Sequence, residues 1–359
     1  MARVFNFNPG PAAMPEPVLQ RAKSELLEMS GLGISVMNIS HRSGEFQNII
    51  DSAEAGIRDL LSVPQEYAVL FLQGSASLQF AMIPMNLRRP GKSADYVESG
   101  RFSQKALKEA QTTGKANVVW SGKEEDYTRI PEPAELRLDP DAEYLHICSN
   151  ETVGGIRWNR FPEIAAPLIA DMSSEILSRV IDVTRFGLIY AGAQKNLGPS
   201  GIALVIIRQD LVEREHAGIP IFLRYSTHIR ERSLYNTPNT WAIYMLKLTC
   251  EWLQSRGGLK EMQRINEEKA ALLYQTIDSS GFWRSPVDKN SRSIMNVVWR
   301  LPSVSLEERF LEEAKEAGMV GLKGHRSVGG IRASIYNAVT LEAVKTLVSF
   351  MKEFERKNG

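Results

Sequence analysis

The sequence predicts an α/β fold, with a large domain built on a mainly parallel seven-stranded sheet and a smaller α+β domain. Seven short apolar runs between residues 67 and 208 alternate with helical segments, which is typical of parallel sheets covered on both faces. Beyond about residue 240 the pattern changes to long helices with a few short strands. The chain of 359 residues is also longer than one hydrophobic core usually organises, which indicates two domains.

The first elements follow from local composition. Residues 1–15 are rich in Gly and Pro and are predicted to be irregular, whereas residues 16–30 have a helical periodicity that ends at Gly31. Further helices are predicted over about 46–61 and over 102–112. The strands are predicted, in chain order, at YAVLFLQ, SADYVES, ANVVWS, EYLHICSN, PLIADMSS, GLIYAGA and IALVIIR.

The last third of the chain is predicted to begin with long helices broken at Gly257 and Gly258. Two strand-like runs follow, SIMNVVWRL and GGIRASIYN, with helices near 305–318 and over about 340–356. We expect the large domain to comprise residues 16–255, and the small domain to comprise residues 1–15 and 256–359.

The composition argues against several classes of protein. The 43 basic and 42 acidic residues give a net charge of +1, whereas nucleic-acid-binding surfaces normally show a basic excess. The N-terminal residues have no apolar signal-peptide core, and the longest apolar runs are too short to span a membrane. Cys148 and Cys250 have no metal-ligand spacing. We therefore expect a cytoplasmic protein with reduced core thiols, no metal site, no nucleic-acid partner and no membrane segment.

Chemically useful groups follow three of the predicted strands, where ligands of parallel sheets bind. LFLQ is followed by GSASLQF, a turn that opens a helix and could cradle a phosphate or be a plain tight turn. Asp171 ends PLIAD and could cap the next helix instead of acting in a site. Lys195 follows LIYAGAQ and could equally be a solvated lysine at a strand end.

The combination of these groups favours a pyridoxal phosphate site. This cofactor needs a lysine amine for a Schiff base, a carboxylate that keeps its ring nitrogen protonated, and amide or hydroxyl donors for its phosphate. Lys195, Asp171 and the GSAS turn supply these three groups at one edge of the predicted sheet.

Specific segments carry a resemblance to a known family. AGAQKNLGPSG resembles the lysine segment of class-V, fold-type-I pyridoxal-phosphate aminotransferases. Seven further segments, which together span residues 4–338, resemble the same family: FNFNPGPAAMPEPVL, SHRSGEF, FLQGSASLQFAMIPMNL, YLHICSNETVGGI, ADMSSEILSR, YNTPNTWAIYM and GHRSVGGIRASIYNA. The resemblance implies a fold-type-I transferase whose large domain binds the cofactor.

The resemblance also implies the cofactor contacts. Lys195 would carry the cofactor and shuttle the proton of the substrate's α-carbon, while Asp171 pairs with the pyridine nitrogen. Phe102 would stack on the ring where many relatives have Trp; Phe keeps a flat apolar face but has less area. Without the resemblance, Phe102 would be a core residue of the next helix. The other implied contacts are Thr152 at the ring hydroxyl, and Ala76, Ser77, Gln194 and the partner subunit's Asn236 and Thr237 at the phosphate.

For the substrates, the resemblance implies amino transfer between L-glutamate and 3-phosphohydroxypyruvate in a homodimer with shared active sites. A longer phosphorylated hydroxy-keto acid of vitamin B6 synthesis stays open as a further substrate. Arginine suits both anionic ends of these molecules, because its fork matches carboxylate and phosphate. The implied substrate contacts are Arg332 at the α-carboxylate and, at the far end, His325 and Arg326 with His41 and Arg42 of the other subunit.

Four other functions fit the sequence less well. A cysteine desulfurase needs a mobile nucleophilic cysteine, whereas Cys148 is predicted in a strand and Cys250 in a helix. A small-amino-acid–glyoxylate aminotransferase has no use for a phosphate-binding cluster. A cofactor-binding regulator without turnover would need a DNA-binding module, for which spare length and basic charge are missing. A nucleotide-binding α/β protein lacks its glycine-rich fingerprints.

Overall fold

The structure, a computed structural model, describes residues 3–29 and 31–359. The α-helices of this part of the chain are α1 (Glu16–Ser24), α2 (Gly44–Leu61), α3 (Ser75–Leu87), α4 (Arg101–Thr113), α5 (Tyr225–Arg230), α6 (Thr240–Ser255), α7 (Gly258–Asp278), α8 (Val304–Glu316) and α9 (Leu341–Asn358). The strands are β1 (Phe5–Asn6), β2 (Tyr67–Leu72), β3 (Ala94–Glu98), β4 (Ala116–Ser121), β5 (Leu145–Cys148), β6 (Asn150–Glu151), β7 (Ile156–Arg157), β8 (Leu168–Asp171), β9 (Leu188–Gly192), β10 (Ala203–Arg208), β11 (Asn296–Trp299), β12 (Met319–Val320) and β13 (Ile331–Ser334).

Seven strands form the central sheet, in the order β2-β10-β9-β8-β5-β3-β4. β10 runs antiparallel to β2 and β9, and the other neighbours are parallel. Every residue of β2, β5, β8 and β9 is buried, because helices cover both faces. The predicted mainly parallel seven-stranded sheet is confirmed.

The apolar side chains gather in separate clusters. Helices α1, α2 and α6 pack on one face of the sheet, and α3 and α4 pack on the other. A further cluster joins α7, α8, α9, β11 and β13. The start of α7 (Leu259 and Met262) packs with the sheet, whereas Ala270 and later residues of α7 belong to the third cluster. We therefore keep the division into residues 16–255 and residues 1–15 with 256–359 as a proposal.

The sheet brings the segments of interest to one edge. β2, β3, β5, β8 and β9 all point the same way, since β10 is antiparallel to its two neighbours. The segments that follow these five strands therefore meet at their carboxyl ends, which is where open α/β sheets bind ligands.

Two predicted helix starts or ends differ from the structure. The helix predicted over 16–30 ends at Ser24, because the next residue, Glu25, turns and its carboxylate binds Arg21 and the hydroxyl of Tyr244 on α6. The end predicted for it falls at Ser30, which lies outside the described residues. The residues YNTPNT, 235–240, by themselves predict a capped helix start with Pro238 in the first turn. In the structure Pro238 instead precedes α6, whose N-cap is Asn239.

Three buried asparagines connect the two cores. Asn196, next to Lys195, accepts a hydrogen bond from the main-chain N–H of Asn337 at 3.0 Å. Asn337 in turn accepts one from Asn266 of α7 at 2.9 Å and donates to the carbonyl of Leu177 at 2.8 Å. The lysine turn, the segment after β13 and α7 are therefore held together by directional contacts.

A fully buried lysine of α7 holds the same segment. The Lys269 ammonium donates to the carbonyls of Ile335, Tyr336 and Val339 at 2.8–2.9 Å. Burial lowers the pKa of Lys269 from 10.5 to about 7. Between these pH values the unfolded chain binds a proton that the folded chain has released, so the contribution of Lys269 to stability increases with pH.

Lys269→Met is expected to lower the free energy of unfolding by about 3 kcal/mol, because it leaves buried carbonyls without their donor. From the direction of the pKa shift, the loss should be larger at about pH 9 than at about pH 6.5. Urea unfolding at both pH values measures it. Lys260→Met, on the exposed side of the same helix, is the matched control and should change little. A loss that shrinks as the pH rises would contradict the assignment.

Candidate active site

Lys195 lies in the turn that follows β9 and is buried, with 9% of its surface exposed. Its Nζ donates hydrogen bonds to Thr152 Oγ1 at 2.6 Å and to Ser174 Oγ at 2.8 Å. Within residues 3–29 and 31–359, no carboxylate forms a salt bridge with it. The reading as a solvated lysine at a strand end is therefore wrong, because solvated lysines do not lie buried against two hydroxyls.

Asp171 is the last residue of β8 and is also buried. Its Oδ1 accepts a hydrogen bond from the N–H of Ser173 at 2.9 Å, but the segment that follows consists of turns, so the helix-capping reading is wrong. Burial raises the pKa of Asp171, while the hydrogen bonds from Ser173 and the charge of Lys195 oppose that shift. Such a carboxylate would be stabilised by a further cationic N–H group.

Two segments cover the lysine. The ring centroid of Phe102, at the start of α4, lies 4.9 Å from Lys195 Nζ, so this side chain faces the site as well as packing on the core. On another side, the N–H of Ala12 donates to the carbonyl of Gln194 at 2.9 Å. Gly10 lies so close that a Cβ there would be 3.5 Å from Lys195 Cγ. The lysine is thus enclosed by the start of α4 on one side and by the N-terminal segment around Gly10 and Ala12 on another.

The start of α3 is an open helix N-terminus at the same sheet edge. Its N-cap is Gly74, with φ of 81°, which has no side chain to cap the helix. The N–H of Ser77 donates a long hydrogen bond of 3.4 Å to the hydroxyl of Ser75 in the same turn. Ala76 is buried and Ser77 is exposed in the first turn. The free N–H groups and the positive end of the helix dipole make this turn suitable for a phosphate, as the sequence predicted.

Arg332 is a buried arginine on β13, with 5% of its surface exposed. Its Nη1 donates to the carbonyl of Thr152 at 3.3 Å, and its Nε has no hydrogen-bond partner within the described residues. No carboxylate of that part of the chain pairs with it. Burial lowers the pKa of Arg332. A buried guanidinium without an acidic partner is suited to binding an anion, because an unpaired charge is costly to bury.

A cavity of about 970 Å³ lies beside Arg332. Its wall includes Arg101 of α4 and the small-domain residues Gly324 and Ser327, which flank His325 and Arg326. Burial and the positive charges of Arg101, Arg332, Arg326 and Lys105 all lower the pKa of His325. Lys195 does not line this cavity. Thr152 connects Lys195 to Arg332 at the cavity wall, because its hydroxyl accepts a hydrogen bond from Lys195 and its carbonyl accepts one from Arg332.

Four predicted residues do not reach this group in the single chain. His41 and Arg42 lie just before α2, Arg42 is exposed, and neither lines the cavity. The carbonyl of Thr237, next to Asn236, accepts a hydrogen bond from Gln73 at 2.7 Å, close to the start of α3. Their roles in a partner's site stay predictions.

Three residues near the site were missed from the sequence. Ser174 binds Lys195 directly, Glu151 binds the start of α4, and Arg101 lines the cavity. Ser174 lies three residues after Asp171, within the stretch where the sequence suggests a capped helix start rather than a site. Glu151 directly follows the predicted strand EYLHICSN, and this position could have identified it as a site residue.

Neither cysteine suits a nucleophile. Cys148 is in β5 and Cys250 in α6, and both are buried. Burial raises the pKa of Cys148, and it raises that of Cys250 to about 12, so both stay as thiols. In the described residues there is no cluster of three or more metal-ligand side chains, and none of the helices is long and apolar enough to cross a membrane.

Relatives of known sequence and structure match nearly the full length of the chain. The phosphoserine aminotransferase of Geobacillus kaustophilus is 54% identical over 358 residues, 99% of both chains. The phosphoserine aminotransferase structure from Bacillus circulans subsp. alkalophilus has a TM-score of 0.97 at 49% identity, covering 99% of both chains. That of the PLP-bound enzyme from Trichomonas vaginalis has a TM-score of 0.94 at 37% identity, covering 98% of this chain and 100% of the other.

More distant structures share the fold alone. The alanine–glyoxylate aminotransferase of Nostoc sp. is 17% identical with a TM-score of 0.78, covering 99% of this chain and 96% of the other.

The family profile described as aminotransferase class-V matches residues 4–347, which is nearly the full length. The chain therefore belongs to the class-V aminotransferase family and has its fold-type-I architecture.

Proposed function

We propose that the chain is a pyridoxal-phosphate-dependent aminotransferase that acts on L-glutamate and 3-phosphohydroxypyruvate. The products are 2-oxoglutarate and O-phospho-L-serine, so the reaction is a step of serine biosynthesis. Glutamate is oxidised by two electrons and the phosphorylated keto acid is reduced by two, so that no outside redox partner is needed. The observation that carries the proposal is a buried lysine and a buried unpaired arginine held by the same residue, Thr152.

The residues at the sheet edge fit the cofactor. Lys195 offers a buried amine, Asp171 a buried carboxylate for the ring nitrogen, and Thr152 a hydroxyl beside the lysine. The open start of α3 offers N–H groups for the phosphate. Gln194 Oε1 is a buried polar atom without a partner among the described residues, as expected beside a missing polar ligand. When bound, pyridoxal phosphate supplies an aldehyde that carries the amino group and a ring that accepts electrons.

The chain's own residues then move the proton. The amine of Lys195 would take the proton from the substrate's α-carbon and deliver it to the carbon of the cofactor that carries the amino group. Thr152 and Ser174 aim this amine through their hydroxyl groups. Asp171 keeps a proton on the ring nitrogen, since its buried charge is stabilised by that contact. Phe102 covers the lysine and limits the access of water.

Arg332 binds the α-carboxylate that both substrates share. Two cations favour a second anionic group in the same cavity: Arg101, which lines it, and Arg326, which lies between the lining residues Gly324 and Ser327. His325, whose pKa is lowered, adds a neutral ring that can donate a hydrogen bond. A net charge of +1 gives no long-range attraction, so this attraction is local. We also propose a homodimer in the cytoplasm, in which the partner's His41 and Arg42 reach the far end of the substrate and the partner's Asn236 and Thr237 reach the phosphate of the cofactor. The hydroxy-keto acid of vitamin B6 synthesis stays a further candidate substrate.

The test of the proposed function is amino transfer from L-glutamate to 3-phosphohydroxypyruvate, compared with glyoxylate and pyruvate. We expect kcat/KM for the phosphorylated acid to exceed the others by at least about 100-fold, because the unphosphorylated acids leave the cations without a partner. Equal rates with glyoxylate would favour the glyoxylate-type aminotransferase.

Arg42→Ala is expected to raise KM for 3-phosphohydroxypyruvate about tenfold and to change the kinetics with pyruvate by less than about twofold, since only the former has a phosphate. Steady-state kinetics with both acids measure this. Equal losses with the two acids would argue against a far-end role.

The same variant tests whether sites are shared. Mixing Arg42→Ala subunits with inactive Lys195→Ala subunits should restore part of the activity with 3-phosphohydroxypyruvate, because one hybrid site then has both native side chains. No gain on mixing, with exchange of subunits demonstrated by a tagged copy, would contradict a site shared across a dimer.

A further inference from the structure

Glu151 is a fully buried carboxylate that makes no salt bridge within the described chain. It binds the start of α4 instead. Its Oε2 accepts from the N–H of Phe102 at 3.1 Å, and its Oε1 accepts from the N–H and the hydroxyl of Ser103 at 2.9 and 2.8 Å. The positive end of the helix dipole stabilises the charge there. Burial raises the pKa of Glu151, while these hydrogen bonds lower it.

The start of α4 has room for this carboxylate because its N-cap residue has no side chain. The N-cap of α4 is Gly100, and a Cβ at that position would lie 2.7 Å from Glu151 Cδ. Any larger residue would displace the carboxyl group. The two helix starts at this sheet edge therefore differ: that of α3 is open, whereas that of α4 is already occupied by an anion of the chain itself.

The consequence concerns the residues on either side of these contacts. Phe102, whose N–H binds Glu151, has its ring 4.9 Å from Lys195 Nζ. Thr152, the next residue after Glu151, holds Lys195 with its hydroxyl and Arg332 with its carbonyl. The dipeptide Glu151–Thr152 thus contacts Phe102, Lys195 and Arg332 through hydrogen bonds.

We propose that Glu151 is a positioning residue, which fixes the start of α4 so that Phe102 lies over the cofactor position at Lys195. This inference rests on the proposed function, since it needs pyridoxal phosphate to be bound there. Glu151 touches neither Lys195 nor Arg332, so it acts through Phe102 and the turn of α4.

Glu151→Gln is the most selective test. Glutamine has the same shape and one carbonyl oxygen, which can replace Oε1 at Ser103, where two hydrogen bonds are accepted. Its NH₂ group then faces the N–H of Phe102, where two donors meet and the bond is lost. We expect the dissociation constant of pyridoxal phosphate to rise about tenfold, and the visible circular dichroism of the bound cofactor to change in amplitude.

Gly100→Ala gives a second route to the same result, because its Cβ pushes the carboxylate away without removing it. Thr340→Ala is the matched control: it removes the N-cap of α9 in the small domain and should lower stability while cofactor binding stays unchanged. The holoenzymes are compared by absorbance during dialysis, by visible circular dichroism and by thermal unfolding.

Each outcome decides the proposal. Weaker cofactor binding and altered dichroism in Glu151→Gln or in Gly100→Ala, but not in Thr340→Ala, support it. Wild-type affinity and dichroism in both site variants, with only the thermal midpoint lowered, would reduce Glu151 to a structural cap and overturn it. If Glu151→Gln does not fold, Gly100→Ala decides. A wild-type protein that shows no visible band with pyridoxal phosphate would overturn the proposed function together with this inference.

Discussion

Lys195→Ala is expected to lower kcat/KM for amino transfer by at least about four orders of magnitude, the largest effect of any single substitution in this chain. The amine of Lys195 is buried and held by Thr152 and Ser174, so no neighbouring side chain can take its place as the proton carrier. Neither hydroxyl is basic enough to abstract a proton from carbon. The visible absorption band of the bound cofactor should be lost as well.

The control is Lys260→Ala, which changes an exposed lysine of α7. Activity is measured with glutamate and 3-phosphohydroxypyruvate, and folding is checked by thermal unfolding. A Lys195→Ala protein that keeps more than about a hundredth of the wild-type kcat/KM would mean that another group moves the proton.

Arg332→Gln is expected to separate activity from stability. Removing the guanidinium should lower kcat/KM about 1,000-fold with both substrates, because the two-pronged contact to the shared carboxylate is lost. The free energy of unfolding should not fall, since the wild-type residue is a buried charge without an acidic partner in the described chain. Most single substitutions instead lower it by about 1 kcal/mol.

Arg179→Gln is the matched control for this pair of readouts. Arg179 is also largely buried, but its Nε lies 3.1 Å from the carboxylate of Glu175. Its loss leaves that carboxylate unpaired and should lower the free energy of unfolding by about 3 kcal/mol. If Arg332→Gln and Arg179→Gln destabilise the protein equally, Arg332 has a structural role and the carboxylate is bound elsewhere.

The sheet could be predicted well from the sequence, and the main reason is that strands such as β2, β5, β8 and β9 are buried on both faces. Each of its seven strands is a short apolar run bounded by turn residues, and the alternation with helices indicates parallel pairing. The end of α1 could not be predicted, because a contact between Glu25 and Tyr244, far apart in the chain, is present there. Local periodicity carries no information about such contacts.

The site could be predicted in part. Lys195 and Asp171 follow strands, so the rule for parallel sheets predicted their meeting. Ser174 and Glu151 were missed, because their roles depend on which side chain faces them from another segment. Arg332 could be named only from the resemblance, since an arginine inside a strand is equally typical of an exposed sheet face.

The asparagine contacts between the two cores have a consequence for protein engineering. Asn196 belongs to the lysine turn, Asn266 to α7, and Asn337 to the segment that follows the arginine strand β13. A chimera that joins the first part of this chain to the last part of a relative must therefore match all three residues at the junction, since a mismatch leaves buried amides unpaired. A hybrid in which one of these asparagines is replaced while its partners stay is expected to be less stable and less active.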